Sequence, residues 1–248
     1  GLGRLCAASC VTTHPGWRSE GGAVARALAA FPQFELGLHL NLTEGRPLTS
    51  DLSRHWVELP SLPRLIARAA VDALPLAAIA TELRAQLDAF ADAVGQAPSY
   101  LDGHQHVHHL PGVRAVVMAA TTRARLAGAA AIRNTGDVGG PGSWLKRQAI
   151  EATGGRALLR RLRAEGVRHN ATLLGVYDFA DADYRSRFRA WLAAAPASGG
   201  LLHCHASAAT AVAGDPIAAA RTREAAYMLG SACGDDLAAA EVSLGPAW

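Results

Sequence analysis

With 248 residues, half of them apolar and 18% charged, the chain has the composition of a folded globule with a sizeable core and not of a disordered segment. The length suits one large domain spanning residues 1–248, as in a single α/β barrel. The formal charge of +3 is mild, and the only arginine cluster, "RALLRRLRAEGVR" (156–168), reads as the polar side of a helix, so no dense basic stripe marks a nucleic-acid interface.

No stretch reaches the roughly 18 uninterrupted apolar residues of a membrane span, and "GLGRLCAASC" lacks the basic-then-apolar layout of a secretory signal. Cys6, Cys10, Cys204 and Cys233 form no C-x-x-C pair. They read as small apolar fillers in a reducing compartment, so a cytoplasmic location is expected.

In chain order, "RLCAASCVTT" (4–13) is a predicted strand and "EGGAVARALAAFP" (20–32) a helix ended by proline. "FELGLHLNLT" (34–43) alternates apolar and polar residues and predicts a strand. "PLAAIATELRAQLDAFADAVG" (75–95) sets Ile79, Leu83, Leu87, Phe90 and Val94 on one helical face, with Gly95 as the stop. A strand over 99–107, a helix over 111–127 and a short strand over 129–135 follow. The Gly-rich run 136–142 lacks the Lys-Ser/Thr of a P-loop and reads as a flexible loop. Helical sequence continues to about Gly166. Next come a strand over 170–179, a helix over 182–196, a strand over 199–207, a helix over 215–231 and a last short strand over 240–244.

Repeated strand–helix alternation implies a mainly parallel sheet covered by helices. Two features favour a closed barrel over an open doubly wound sheet. Histidines fall near the C-terminal ends of three strands (His39, His104, His205), which a barrel gathers around one mouth. The Gly-rich phosphate loop that usually follows an early strand of an open sheet is not visible.

The histidines carry the chemistry. "LDGHQHVHHLPG" (101–112) holds four of the ten; on an extended strand His104, His106 and His108 would share one face and suit a metal ion. His39 shares its face with Asn41 and Thr43. Asp102 could fix a histidine tautomer or merely cap the turn at Gly103. His203 and His205 form a second H-x-H pair, and a histidine beside a metal suits proton donation to a leaving amine. Arg221 and Glu224, about one helical turn apart, are either a surface ion pair or support behind the site. Trp56, Trp144 and Tyr177 could stack on a ligand ring, although core packing is the more usual use of such residues.

Taken together, "GLHLNLTEGRPL" (37–48), "YLDGHQHVHHLP" (100–111), "GVYDF" (175–179), "GLLHCH" (200–205) and "DPIAAARTRE" (215–224) resemble the YdjC/ChbG-type carbohydrate deacetylases, relatives of the NodB-like polysaccharide deacetylases. The resemblance covers nearly the whole chain. It implies a distorted (β/α) barrel that removes acetyl groups from N-acetylated sugars, notably chitooligosaccharides, with a divalent Mg2+ or Zn2+ ion. It puts metal ligands at His39 and His104 and the proton donor at His205; the residues read by themselves add Asp102, His106, Arg221 and Glu224 as supports for the site or the substrate. The expected partner is an N-acetylated oligosaccharide or glycoside, and a homodimer is allowed for.

Two departures stand out. "CHAS" replaces the family's C-H-P-G, and no counterpart of its opening strand, ending in Asp-Asp-Phe-Gly, occurs here. The expectation is a barrel lacking its first strand, with an incomplete metal site. Two other readings therefore stay open: a different metal-dependent barrel hydrolase of the amidohydrolase or phosphoesterase kind, and an inactive sugar-binding remnant.

Overall fold

The computed structural model describes residues 3–28, 30–122, 130–180, 182–208, 214–246 and 248. The end of the helix expected over 111–127 lies outside them. Four parallel strands form the main sheet in the order β1 (Ala7–Cys10), β2 (Glu35–Leu40), β3 (Tyr100–Gly103), β4 (Ala131–Ile132). A separate parallel pair consists of β5 (Leu173–Leu174) and β6 (Leu201–Leu202). Parallel pairing throughout is what strand–helix alternation demands.

A closed barrel is not shown; the described strands form two sheets. At the seam, side chains replace the ladder. The Asn134 backbone N–H donates to Asn170 Oδ1 at 2.7 Å, Asn170 Nδ2 donates to Asn134 O at 3.2 Å, and Asn134 Nδ2 donates to Asn170 O and Ala171 O. Two asparagine amides thus satisfy backbone groups that a continuous sheet would pair with one another. Beyond the seam, Val138 bridges Leu173.

The main sheet has two unlike faces. Leu36, Leu38 and Leu40 of β2 pack with Leu101 of β3 into the principal core. That core includes α1 (Trp17–Leu28) and α4 (Leu76–Val94), where Trp17 stacks on Phe90 at 6.1 Å. As the periodicity predicts, Ile79, Leu83, Leu87 and Phe90 are buried, and Gly95 caps α4 in the left-handed region. On the opposite face Gly37 pairs with Tyr100 and His39 with Asp102. A Cβ on Gly37 would stand 2.4 Å from the Tyr100 ring, so only glycine lets that ring lie flat across the strand. The short α2 (Ser50–Ser53), α3 (Leu62–Ala70) and α5 (Val113–Thr122) complete this half of the chain.

Several expectations are corrected. The Gly-rich run is packed in place: Trp191 Nε1 donates to Pro141 O at 2.7 Å, and Arg147 holds Gly140 O. The helical stretch after it divides into α6 (Trp144–Ile150), a π turn (Glu151–Gly155) and α7 (Arg156–Ala164). Gly154 turns there with φ 151°, and a Cβ would meet His109 O at 2.1 Å, so the break lets the helix pass close to the loop after β3. The strand expected over 240–244 is absent. α8 (Tyr184–Ala193) and α9 (Ala218–Leu229) are followed instead by α10 (Ser231–Ala239), and Val242 N–H closes back on Leu237 O. Trp56 and Tyr177 are core residues, whereas Trp144 is 62% exposed. No helix among the described residues is long and apolar enough to cross a membrane.

Candidate functional site

His39 and Asp102 are register partners on β2 and β3, at the C-terminal end of the parallel sheet, where open and closed α/β folds alike place their chemistry. His39 Nδ1 lies 2.6 Å from Asp102 Oδ1. The other carboxylate oxygen accepts from Ser9 Oγ at 2.8 Å and pairs with Arg133 Nη1 at 2.8 Å. Burial alone would raise the Asp102 carboxyl, but Arg133 and His39 outweigh it and hold the group well below the usual carboxylate range. The ionised oxygen makes His39 the Nδ1–H tautomer, with its lone pair on Nε2. Asp102 therefore orients His39, and both of its oxygens are engaged.

The loop after β2 is fixed from α4. Glu82, fully buried, accepts from Leu48 N, Thr49 N, Thr49 Oγ1 and Gln86 Nε2 at 2.7–3.0 Å. Gln86 in turn bonds both the N–H and the carbonyl of Asn41. Asn41 Nδ2 donates to Thr13 Oγ1 and Glu44 O. This scaffold delivers Glu44, whose Oε2 lies 3.1 Å from His104 Nε2.

The extended strand expected to run to residue 107 ends at Gly103. A 3-10 turn (His104–His109) follows, with Gln105 at φ 49° and His106 at φ 63°. Consecutive left-handed residues other than glycine are uncommon and strained, and they separate histidines that alternation would have put on one face. His104 turns to His39, their ring centroids 5.6 Å apart. His106 turns to Arg133 and to His203, 5.9 Å away. His108 and His109 are buried supports: His108 Nε2 bonds Arg133 O at 2.9 Å, and His109 lies between Thr135 Oγ1 and Thr153 Oγ1.

On the second sheet, His203 Nδ1 donates to Leu174 O at 2.7 Å, and the His203 ring packs against His205 at 5.3 Å. The His205 backbone is held at both ends. Its N–H donates to Glu224 Oε2, and its carbonyl accepts from Arg221 Nη1 at 3.2 Å. Glu224 is fully buried and also accepts from Tyr177 OH at 2.6 Å, while Arg221 Nε pairs with Asp215 at 2.7 Å. The two helical residues thus meet behind His205. Phe179, itself at φ 67°, packs on the His205 ring at 5.1 Å, and its carbonyl is held by Arg223.

Burial, reinforced by nearby cations and imidazoles, presses the His104 and His203 pKa values down to about 4 and that of His205 to about 2. All three are neutral near pH 7, the form that binds metals.

Two imidazoles sharing one ion keep their centroids within about 6 Å, given a metal–nitrogen bond of about 2.1 Å. The 5.6 Å between His39 and His104 satisfies this. The free Nε2 of His39, held from behind by a carboxylate, is the usual presentation of a metal-binding histidine. Among the described residues, however, no three His, Cys, Asp or Glu groups are placed to hold an ion together. The fit is that of a two-imidazole half-site. Sequence reasoning gave no role to Ser9, Arg133 or Phe179, and it offered Tyr177 only as a stacking or core residue. Of these only Arg133, just past a buried parallel strand, carried a positional signal.

Comparison with known proteins adds three findings. A family model described as YdjC-like protein matches residues 2–239. A mouse protein named carbohydrate deacetylase is 42% identical over 96 residues, covering 36% of this chain and 31% of that protein. A chitooligosaccharide deacetylase of Yersinia pestis (strain Pestoides F) is 37% identical over 95 residues, 38% of each chain. This chain thus spans less than two-fifths of the length of these curated relatives. In fold it is similar to a crystal structure from Enterococcus faecalis V583 of a protein ascribed to cellobiose-phosphate cleavage. The TM-score is 0.68 at 17% identity, over 98% of this chain and 87% of that one.

Proposed function

Because this chain belongs to the YdjC-like family, we propose that it acts as a metal-dependent carbohydrate deacetylase, hydrolysing the acetamide of N-acetylated sugars such as chitooligosaccharides. The observation that carries the reading is the pairing of His39, oriented by Asp102 at 2.6 Å, with His104 at a centroid separation of 5.6 Å. The names of the mouse and Yersinia relatives support the substrate class.

His39 and His104 would hold the ion, and two neutral imidazoles favour zinc over magnesium. When bound, a divalent ion supplies Lewis-acid polarisation of the acetyl carbonyl and a lower pKa for the attacking water. The chain's own residues do the rest. His205 starts neutral, since burial opposes its protonation. Because burial disfavours the charged ring, His205 would hold a proton only in passing, from the water as the new C–O bond forms to the sugar nitrogen as the C–N bond breaks. Glu224 and Arg221 fix the backbone from which that ring projects.

The test is acetate release from N,N′-diacetylchitobiose in the presence of zinc or magnesium. His39→Ala and His104→Ala should abolish metal-dependent release, and His205→Ala should slow it by about 10²–10⁴-fold. Parent-like rates in these variants would refute the assignments. A second reading, a sugar-binding protein without turnover, draws support from the two-ligand donor set. Calorimetric binding of the sugar with no acetate released under either metal would favour it.

A further inference from the structure

Arg133 is 5% exposed and lies just past β4, where its guanidinium reaches three groups. Nη1 pairs with Asp102 Oδ2 at 2.8 Å. Nη2 donates to Gly103 O at 3.0 Å and lies 3.3 Å from His106 Nδ1. Its backbone N–H donates to Leu101 O, and its carbonyl receives His108 Nε2. One residue therefore ties the end of β3 to the turn that carries the H-x-H pair.

A guanidinium only donates hydrogen bonds. Facing Arg133, His106 Nδ1 must be the acceptor, so the ring proton of the neutral imidazole sits on Nε2. The opposite holds at His39, where the carboxylate that Arg133 keeps ionised accepts from Nδ1–H and leaves the lone pair on Nε2. The left-handed Gln105 and His106 turn the second histidine of the pair away from the first and toward the guanidinium.

We propose that Arg133 is the positioning residue that sorts these histidines into different roles. It fixes His106 as an Nε2–H hydrogen-bond donor, excluded from the metal. Through Asp102 it fixes His39 as an Nε2 acceptor. Under the deacetylase reading, on which this last step rests, the His106 Nε2–H is available to an oxygen of the substrate.

The test is two-bond 1H–15N correlation on the imidazoles of the metal-free chain, which reports which ring nitrogen carries the proton. The parent should show His106 as a single Nε2–H tautomer and His39 as Nδ1–H. Added zinc should shift His39 and His104 and leave the His106 tautomer unchanged. In Arg133→Met the His106 signal should lose its single tautomer while His108 keeps its Nε2–H. His108 bonds the Arg133 backbone carbonyl, not the side chain, and so reports an intact loop. Either Nδ1–H on His106 in the parent or zinc entering the His106 ring would overturn the proposal. So would an unchanged His106 tautomer in the variant with the His108 signal intact. If Arg133→Met unfolds, the parent spectra with and without zinc still decide the matter. None of these measurements requires turnover, so a chain that releases no acetate refutes the functional reading and leaves the tautomer assignment standing.

Discussion

Asp102→Asn is the most informative single change to the charge cluster under the site. The carboxylate is 1% exposed and bonds His39 Nδ1, Ser9 Oγ and Arg133 Nη1 at 2.6–2.8 Å. Asparagine brings one acceptor and an NH2 that meets donors. It leaves the Arg133 guanidinium buried without a counter-charge. Removing one partner of such a buried pair costs about 3–5 kcal/mol. At a slope of about 3 kcal/mol per M, the upper end for urea, the unfolding midpoint falls by about 1–2 M.

The sign with pH is also fixed. The folded-state pKa of Asp102 is depressed below the unfolded value of about 3.9. Its contribution is complete above that value and is lost as pH falls toward the folded pKa. The parent should therefore lose stability below about pH 4 more steeply than Asp102→Asn does. The double variant Asp102→Asn/Arg133→Met should cost less than the sum of its parts, by about 1–3 kcal/mol. Urea titrations at pH 7 and at about pH 2.5 measure all of this. A single-variant midpoint equal to the parent's, or strict additivity in the double variant, would refute the reasoning.

Glu224→Gln should lower unfolding stability by about 1–3 kcal/mol, because an amide cannot accept from both Tyr177 OH and the His205 N–H without leaving a buried donor unpaired. Zinc affinity at His39 and His104 should not change; calorimetry and urea titration on one sample check both halves. Gly37→Ala should destabilise by about 1–3 kcal/mol, since its Cβ would overlap the Tyr100 ring at 2.4 Å, and a parent-like melting curve would contradict the packing described for that face.

The parallel sheet was legible because each half of its signal is local. Apolar residues at helical spacing mark α4 and Gly95 ends it; alternation marks β2, whose Leu36, Leu38 and Leu40 do enter the core. The seam was not legible. Asn134 and Asn170 fall inside the stretches expected as separate strands over 129–135 and 170–179, and only their meeting across 36 positions turns them into a substitute for sheet hydrogen bonds. The histidine motif was half legible. Its residue types point to a site, but strict alternation assumes an extended chain, and the left-handed pair Gln105–His106 breaks that assumption with no glycine to announce it. The resemblance gave the pairing of His39 with His104, and the structure brings them together; it gave no role to Arg133, which the sequence presents as an isolated charge after "AAAI".

That isolated charge matters because of what surrounds it. His205, His203, His106, His109 and His108 form a continuous run of ring contacts, with His39 and His104 as a separate pair. So many imidazoles cannot be charged together in a buried space, and a neutral imidazole has two tautomers that differ in which nitrogen can bind a metal or donate a proton. Each ring with a fixed partner has this choice made for it. Backbone carbonyls at Leu174 and Arg133 demand a proton from His203 and His108. Asp102 demands one from His39, and the Arg133 side chain forbids one at His106 Nδ1. Four of these assignments depend on the C-terminal ends of strands that lie far apart in sequence. A count of histidines can therefore locate a site of this kind, but their division into acceptors and donors is a property of the folded sheet.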